Sequence, residues 1–226
     1  MFPMANRAYA SIWTKGFTAD TMLEQLEKLL ETVPFSAQEA GFTQLVIRAL
    51  DPAETSLIER DFRRYPVDAA RLVGFAREHR HADSAYETRA LWDLWTYDAT
   101  LARWQLQPQP LEIACHGEEY DGGVFADAGH FQIDIGFEHL FTGHARLLSG
   151  TAEAPAPQHP AEAAFISLMS QPANLREYHQ KTRENIQKLM QWMAPLEQAL
   201  PVERLHLWSE GEENFEARLD EILAVR

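Results

Sequence analysis

The sequence predicts an α+β fold in which helices cover an antiparallel sheet. Three observations carry that expectation. The first hundred residues alternate between strand-like runs and amphipathic helical patterns in the order β-α-β-β-α-β, which matches a ferredoxin-like layout. Further strand patterns at 102–137 extend the sheet, and the chain ends on one more strand followed by a helix. At 226 residues, with 46% apolar and 24% charged side chains, the composition is that of a globular chain rather than a disordered one. One compact unit over residues 1–226 is expected, because single cores stop growing only beyond roughly 250 residues.

Residues 8–15, AYASIWTK, have strand composition, and Gly16 ends the run. Thr21 and Glu24 then stand at capping-box spacing before a helix carrying Leu23, Leu26, Leu29, Leu30 and Val33 on one side. FTQLVIRAL at 42–50 and TSLIERDF at 55–62 flank the Asp51-Pro52 turn and read as a hairpin. Pro66 is expected to open the second helix, with Asp68 in its first turn and Arg77, His79 and Arg80 in its last, the charge order a helix dipole favours. AYETRALWDLWTY at 85–97 is a long strand.

ARWQLQ at 102–107, PLEIACHGEEY at 110–120 and HFQIDIGF at 130–137 follow as strands, with Pro108 and Pro110 marking a bend or an edge. GTAEAPAPQHPA at 150–161 has no periodicity and reads as an exposed Ala/Pro-rich connection. Helical periodicity returns at 162–170 and 173–194, the longer stretch carrying a stripe of Leu175, His179, Thr182, Ile186, Leu189, Met190 and Met193 before Pro195, which should kink or end it. RLHLWSEG at 204–211 and a helix with Phe215, Leu219, Ile222 and Leu223 inward form a terminal βα unit. Glu210, Glu212 and Glu213 sit where negative charge stabilises that helix start. The likeness of IWTKG at 12–16 to LWSEG at 207–211 hints at two related halves.

A formal charge of −14 argues against nucleic acid and against anionic membrane surfaces, since both attract clustered Lys and Arg. No run approaches the roughly 18 apolar residues of a spanning helix, and the N-terminus lacks the apolar core of a secretory signal. A soluble, cytoplasmic protein is expected. Cys115 is the single cysteine, so an internal disulfide and a thiolate zinc cage are excluded, and its place on the apolar parity of its strand suits an inert core thiol.

Two constellations could carry chemistry. If the strands on either side of DGGVFADAG form a hairpin, period-two alternation places His116, Glu118, His130 and Asp134 on one polar face, where they could bind Zn²⁺ or a similar divalent ion or serve as acid and base. His139 stands in reserve and His144 follows it. The ordinary explanation, a solvated sheet face, is the stronger one, because the spacing matches no ligand signature and no HExxH, GxGxxG, Walker loop, GxSxG or EF-hand loop is present. No cofactor is expected on this reading, and catalytic residues stay unassigned.

The second constellation is aromatic. Tyr86, Trp92, Trp95, Tyr97 and Trp104 fall on a hairpin turning near Asp98, and because Trp92 and Trp95 have opposite parity, one of them should face a helix, a partner or a ligand. The leading expectation is therefore a non-catalytic protein that binds a protein partner or a small apolar ligand through these tryptophans. The alternatives are a metal-dependent or acid–base hydrolytic enzyme built on the histidine and carboxylate cluster, and a structural homodimer joined through a sheet edge.

Overall fold

A computed structural model describes residues 6–144, 147 and 160–224. The first half of the chain forms β1 (Arg7–Thr14), α1 (Met22–Glu31), β2 (Gln44–Ala49), β3 (Ile58–Asp61), α2 (Ala69–Ala76) and β4 (Ser84–Asp98). The rest adds β5 (Arg103–His116), α3 (Phe125–Ala128), β6 (Phe131–Phe137), α4 (His139–Thr142), α5 (Pro160–Met169), α6 (Pro172–Ala199), β7 (Val202–Ser209) and α7 (Phe215–Ala224). Among the described residues no helix is long and apolar enough to cross a membrane.

The strands form one sheet in the order β3-β2-β4-β5-β6-β1-β7, and each neighbouring pair is antiparallel. The α+β class therefore holds, with further strands extending the sheet and a terminal βα unit. The ferredoxin-like arrangement of the first four strands does not form. In that layout β1 would lie beside β4, but the two edges of β4 are taken by β2 and by the long β5 hairpin, paired continuously from Ala85↔His116 to Asp98↔Arg103. β1 lies instead between β6 and β7, so the two ends of the chain are neighbours in the sheet.

Alternation sorts the faces. Ala8, Ala10 and Ile12 of β1, Leu111, Ile113 and Cys115 of β5, and Phe131, Ile133 and Ile135 of β6 all enter one hydrophobic core that extends to Ile222 in α7. Helix α1 contributes Leu23, Leu26, Leu29 and Leu30, and α6 contributes Ile186, Leu189, Trp192 and Leu196. Opposite-parity positions such as Arg89, Glu112, Gln132 and Asp134 line an open polar face.

Several local expectations are corrected. Thr21 makes no capping bond to α1; its Oγ1 accepts from Thr18 N at 3.0 Å and donates to Gly16 O at 2.7 Å, while Glu24 pairs with Lys28 one turn on. Pro66 precedes α2 rather than opening it, because Val67 bridges to Phe42 and Asp68 is the cap, accepting from Arg71 N at 2.8 Å. β5 runs unbroken through Pro108 and Pro110. Leu91 O and Asp93 O, opposite those prolines, accept from Ser36 N and Lys188 Nζ and so point away from β5, which places the donor-less proline nitrogens on the other side, beyond the end of β6 pairing.

The strand expected to reach Tyr120 stops at His116, since Gly117 packs where a Cβ would stand 2.3 Å from Ala82 O. α6 continues through Pro195 to Ala199, its last turn held by buried Leu196 and Leu200. Glu210 caps no helix: it accepts from Arg7 N and from the Tyr9 hydroxyl, both at 3.0 Å. Of the connection expected at 150–161, residues 150–159 lie outside the described residues, and α5 begins at Pro160.

Candidate functional site

The β5–β6 hairpin forms as expected, yet it does not gather its polar residues into one group. His116 N donates to His130 O at 2.8 Å, and the His116 ring places Nδ1 3.0 Å from Gly129 O. The His130 ring is buried between Phe17 and Phe125, at centroid distances of 4.1 and 4.9 Å, and its Nδ1 accepts from Thr14 N at 3.0 Å. Burial pulls the His130 pKa down to about 4 and lowers that of His116 as well. Asp134 lies farther along β6 opposite Glu112, paired with Arg7 and accepting from Gly136 N at 2.9 Å. Glu118 is exposed beyond the end of β5. Among the described residues no three His, Cys, Asp or Glu side chains come together as a metal-holding group.

The open face itself carries a polar cleft of about 420 Å³, bordered by His116, Asp134 and Tyr9. Within it Arg48 pairs with Glu87 and Arg89 with Glu112, each at 3.1 Å, and Glu59 accepts from Gln44 Nε2 at 3.2 Å. Tyr9 stacks on Trp208 with centroids 4.4 Å apart. Such a face is what a half-solvated antiparallel sheet requires.

The three tryptophans part company. Trp92 is 1% exposed and belongs to the core, against Phe141 and Trp192 at centroid distances of 6.1 and 5.7 Å, away from the cavity that the other two line. Trp95 and Trp104 are half-buried and line a cavity of about 300 Å³. Both sit on the part of the β4–β5 hairpin that outruns its neighbours, since β2 pairs only as far as Arg89 and β6 only with Glu112–Cys115.

Helix α6 completes this site by substituting for a missing strand. Asn185, 1% exposed, accepts from Trp95 N at 2.8 Å and donates to Trp95 O and Leu140 O, each at 3.0 Å. These bonds pin α6 and the start of α4 to the β4 edge. The preceding turns of α6 then bring Tyr178 against Trp104 (5.8 Å), and α5 brings Phe165 against Tyr97 (5.8 Å) and Tyr178 (6.1 Å). Tyr97 and Trp104 meet edge-on at 5.5 Å, a favoured aromatic geometry.

Two imidazoles share the wall. His139 stacks between Phe137 and His144, at 5.7 and 5.8 Å, with its ring open to the cavity. Desolvation among these rings, then the nearness of His144, lowers the His139 pKa, while the residue as a whole stays exposed. The Tyr178 hydroxyl accepts from His144 N at 2.6 Å. Lys181 places Nζ 3.5 Å from the centre of the Trp95 ring. His139, placed in reserve for a sheet-face site, thus belongs to the aromatic pocket. Sequence reasoning placed Tyr97 on the aromatic hairpin but missed Phe165, Tyr178 and Asn185; the available signal was polar Thr182 within the apolar stripe of α6, beside Asn185.

No protein-family description matches the chain, and neither curated proteins nor solved structures show a significant similarity to it.

Proposed function

We propose that the protein binds a small, apolar, aromatic molecule in the pocket between the β4–β5 hairpin and helices α4, α5 and α6. The observation that carries this reading is the ring of Trp95, Tyr97, Trp104, Phe165 and Tyr178 around a cavity of about 300 Å³. That volume lies at the small end of ligand sites, which run from roughly 300 to 1,000 Å³ and combine apolar walls with a few polar groups. The polar side chains of Asn185 and Tyr178 are bonded to backbone groups and hold the walls, which suits binding better than turnover.

The hydrolytic reading finds less support, because His116, Glu118, His130 and Asp134 stand apart. Edge-to-edge dimerisation also meets an obstacle at β7, where Leu207 N on the free edge donates to Glu216 Oε1 at 2.7 Å.

N-phenyl-1-naphthylamine, a neutral dye that brightens in apolar surroundings, tests the pocket directly. Saturable binding to wild-type protein is expected, weakened at least about tenfold in Trp104→Ala and in Trp95→Ala, as loss of a central aromatic contact would give. Equal binding by the wild type and both variants would overturn the reading.

A further inference from the structure

Where β4 outruns β2, past Arg89, it borders a second cavity of about 320 Å³, enclosed by the turn after α1 and by α6. This cavity shares no lining residue with the aromatic pocket. Phe35, Trp192 and Pro195 give it apolar walls, and its polar groups are unevenly matched. Thr32 Oγ1 accepts from Trp192 Nε1 at 3.1 Å and donates to Leu29 O at 2.7 Å, while the Asp93 carboxylate accepts from Ser36 Oγ at 2.7 Å and Ala37 N at 2.9 Å. Gln191 is exposed and its amide can serve as donor or acceptor.

Two donors remain. Trp92 is 1% exposed, yet its indole Nε1–H meets no acceptor among the described residues. Lys188 gives one ammonium proton to Asp93 O at 2.9 Å and pairs with no carboxylate among the described residues, so two protons are left over beside Trp92. Capping the open edge of β4 accounts for the Lys188 bond to Asp93 O, but it does nothing for the buried indole, and a buried donor without an acceptor is costly. We propose that this cavity is a second binding site, for a small molecule that presents a carbonyl or carboxylate oxygen to Trp92 Nε1 and Lys188 Nζ and rests its apolar body against Phe35, Trp192 and Pro195.

This inference does not depend on the aromatic pocket. An oxygen acceptor is the one group that answers both donors. A cation would meet the charge of Lys188, and a purely apolar molecule would bury the ammonium and the indole N–H further without a partner. A carboxylate gains from Lys188 but shares the cavity with Asp93, whereas an amide oxygen meets the same two donors without charge.

Two-dimensional proton–nitrogen NMR of nitrogen-15-labelled protein reads the indole N–H groups of the six tryptophans. The Trp92 signal is identified by its loss in Trp92→Phe or, where that variant does not fold, by its contacts with the Phe141 and Trp192 rings. Benzoate, benzamide and toluene, three probes of similar shape, are titrated at pH 7. We expect an oxygen-bearing probe to move the Trp92 signal downfield saturably and toluene to bind about tenfold more weakly, as loss of a charge-assisted hydrogen bond would give. In Lys188→Met the oxygen-bearing probe should lose most of that advantage while toluene binds as before. Tighter binding of benzoate would identify the acceptor as a carboxylate, and tighter binding of benzamide as a neutral carbonyl. A Trp92 signal that neither oxygen probe moves, or equal affinity for toluene, would overturn the inference. Shifts confined to Trp95 and Trp104 would also overturn it, while leaving the aromatic pocket standing.

Discussion

His130 shows how one side chain can serve structure while resembling a ligand. Its Nδ1 accepts from Thr14 N, and Phe17 and Phe125 cover its two faces, so burial holds the folded-state pKa at about 4, below the unfolded value of about 6.5. The neutral form contributes full stability above pH 6.5. As pH falls towards 4 the unfolded chain takes up a proton that the folded ring refuses, and stability declines by up to about 1.4 kcal/mol per pH unit from this residue. Urea midpoints should therefore drop between pH 6.5 and 4, and less steeply in His130→Gln. Some slope should persist in that variant, because His116 is held down too. An unchanged slope would show that His130 is not the group responsible. The polar parity of His116 and Asp134 was legible from alternation alone, whereas the enclosure of His130 was not, since Phe17 reaches it from another part of the chain.

At the scale of elements, Asn185 is the joint between α6 and the sheet. A leucine of similar size would leave Trp95 N, Trp95 O and Leu140 O without the side chain that now satisfies them, and buried backbone groups so deprived cost about 1–3 kcal/mol each. Asn185→Leu should destabilise the protein by roughly 3 kcal/mol or more in chemical denaturation, and the dye should bind far more weakly where the variant remains folded. A loss below about 1 kcal/mol would mean that the joint is dispensable. The helices themselves were readable from their stripes, and α1 and α2 lie close to their expected positions. Their ends were less so: Thr21 had an alternative partner in the Thr18 turn, and Pro195 removes one donor from a helix that buried Leu196 and Leu200 still hold.

For the whole molecule, a formal charge of −14 acts on a sheet that brings the first and last strands together. Self-repulsion in the compact state weakens as salt shortens the Debye length from roughly 30 Å at 0.01 M to 10 Å at 0.1 M. The thermal midpoint should rise over that range of sodium chloride. Because β1 is paired on both sides and shares a core with α6 and α7, the transition should also be single, with tryptophan fluorescence and far-ultraviolet circular dichroism coinciding. A fall in midpoint with salt, or two separate transitions, would contradict this account.

Sequence alone determined what depends on neighbours along the chain. Period-two and period-3.6 patterns located the strands and helices, the β5–β6 hairpin followed from two strands around a glycine-containing loop, and opposite parity showed that Trp92 and Trp95 must part. Tertiary structure decided what depends on distant pairing: β1 lies beside β6 and β7 instead of β4, Trp92 is the tryptophan taken into the core, and Asn185 binds an open strand edge 90 residues away. Local patterns specify which face of an element is apolar, but the partner that covers it is chosen by the whole chain's competition for edges and faces. The aromatic pocket arises from that competition, where the β4–β5 hairpin outruns its sheet and α6 closes the gap.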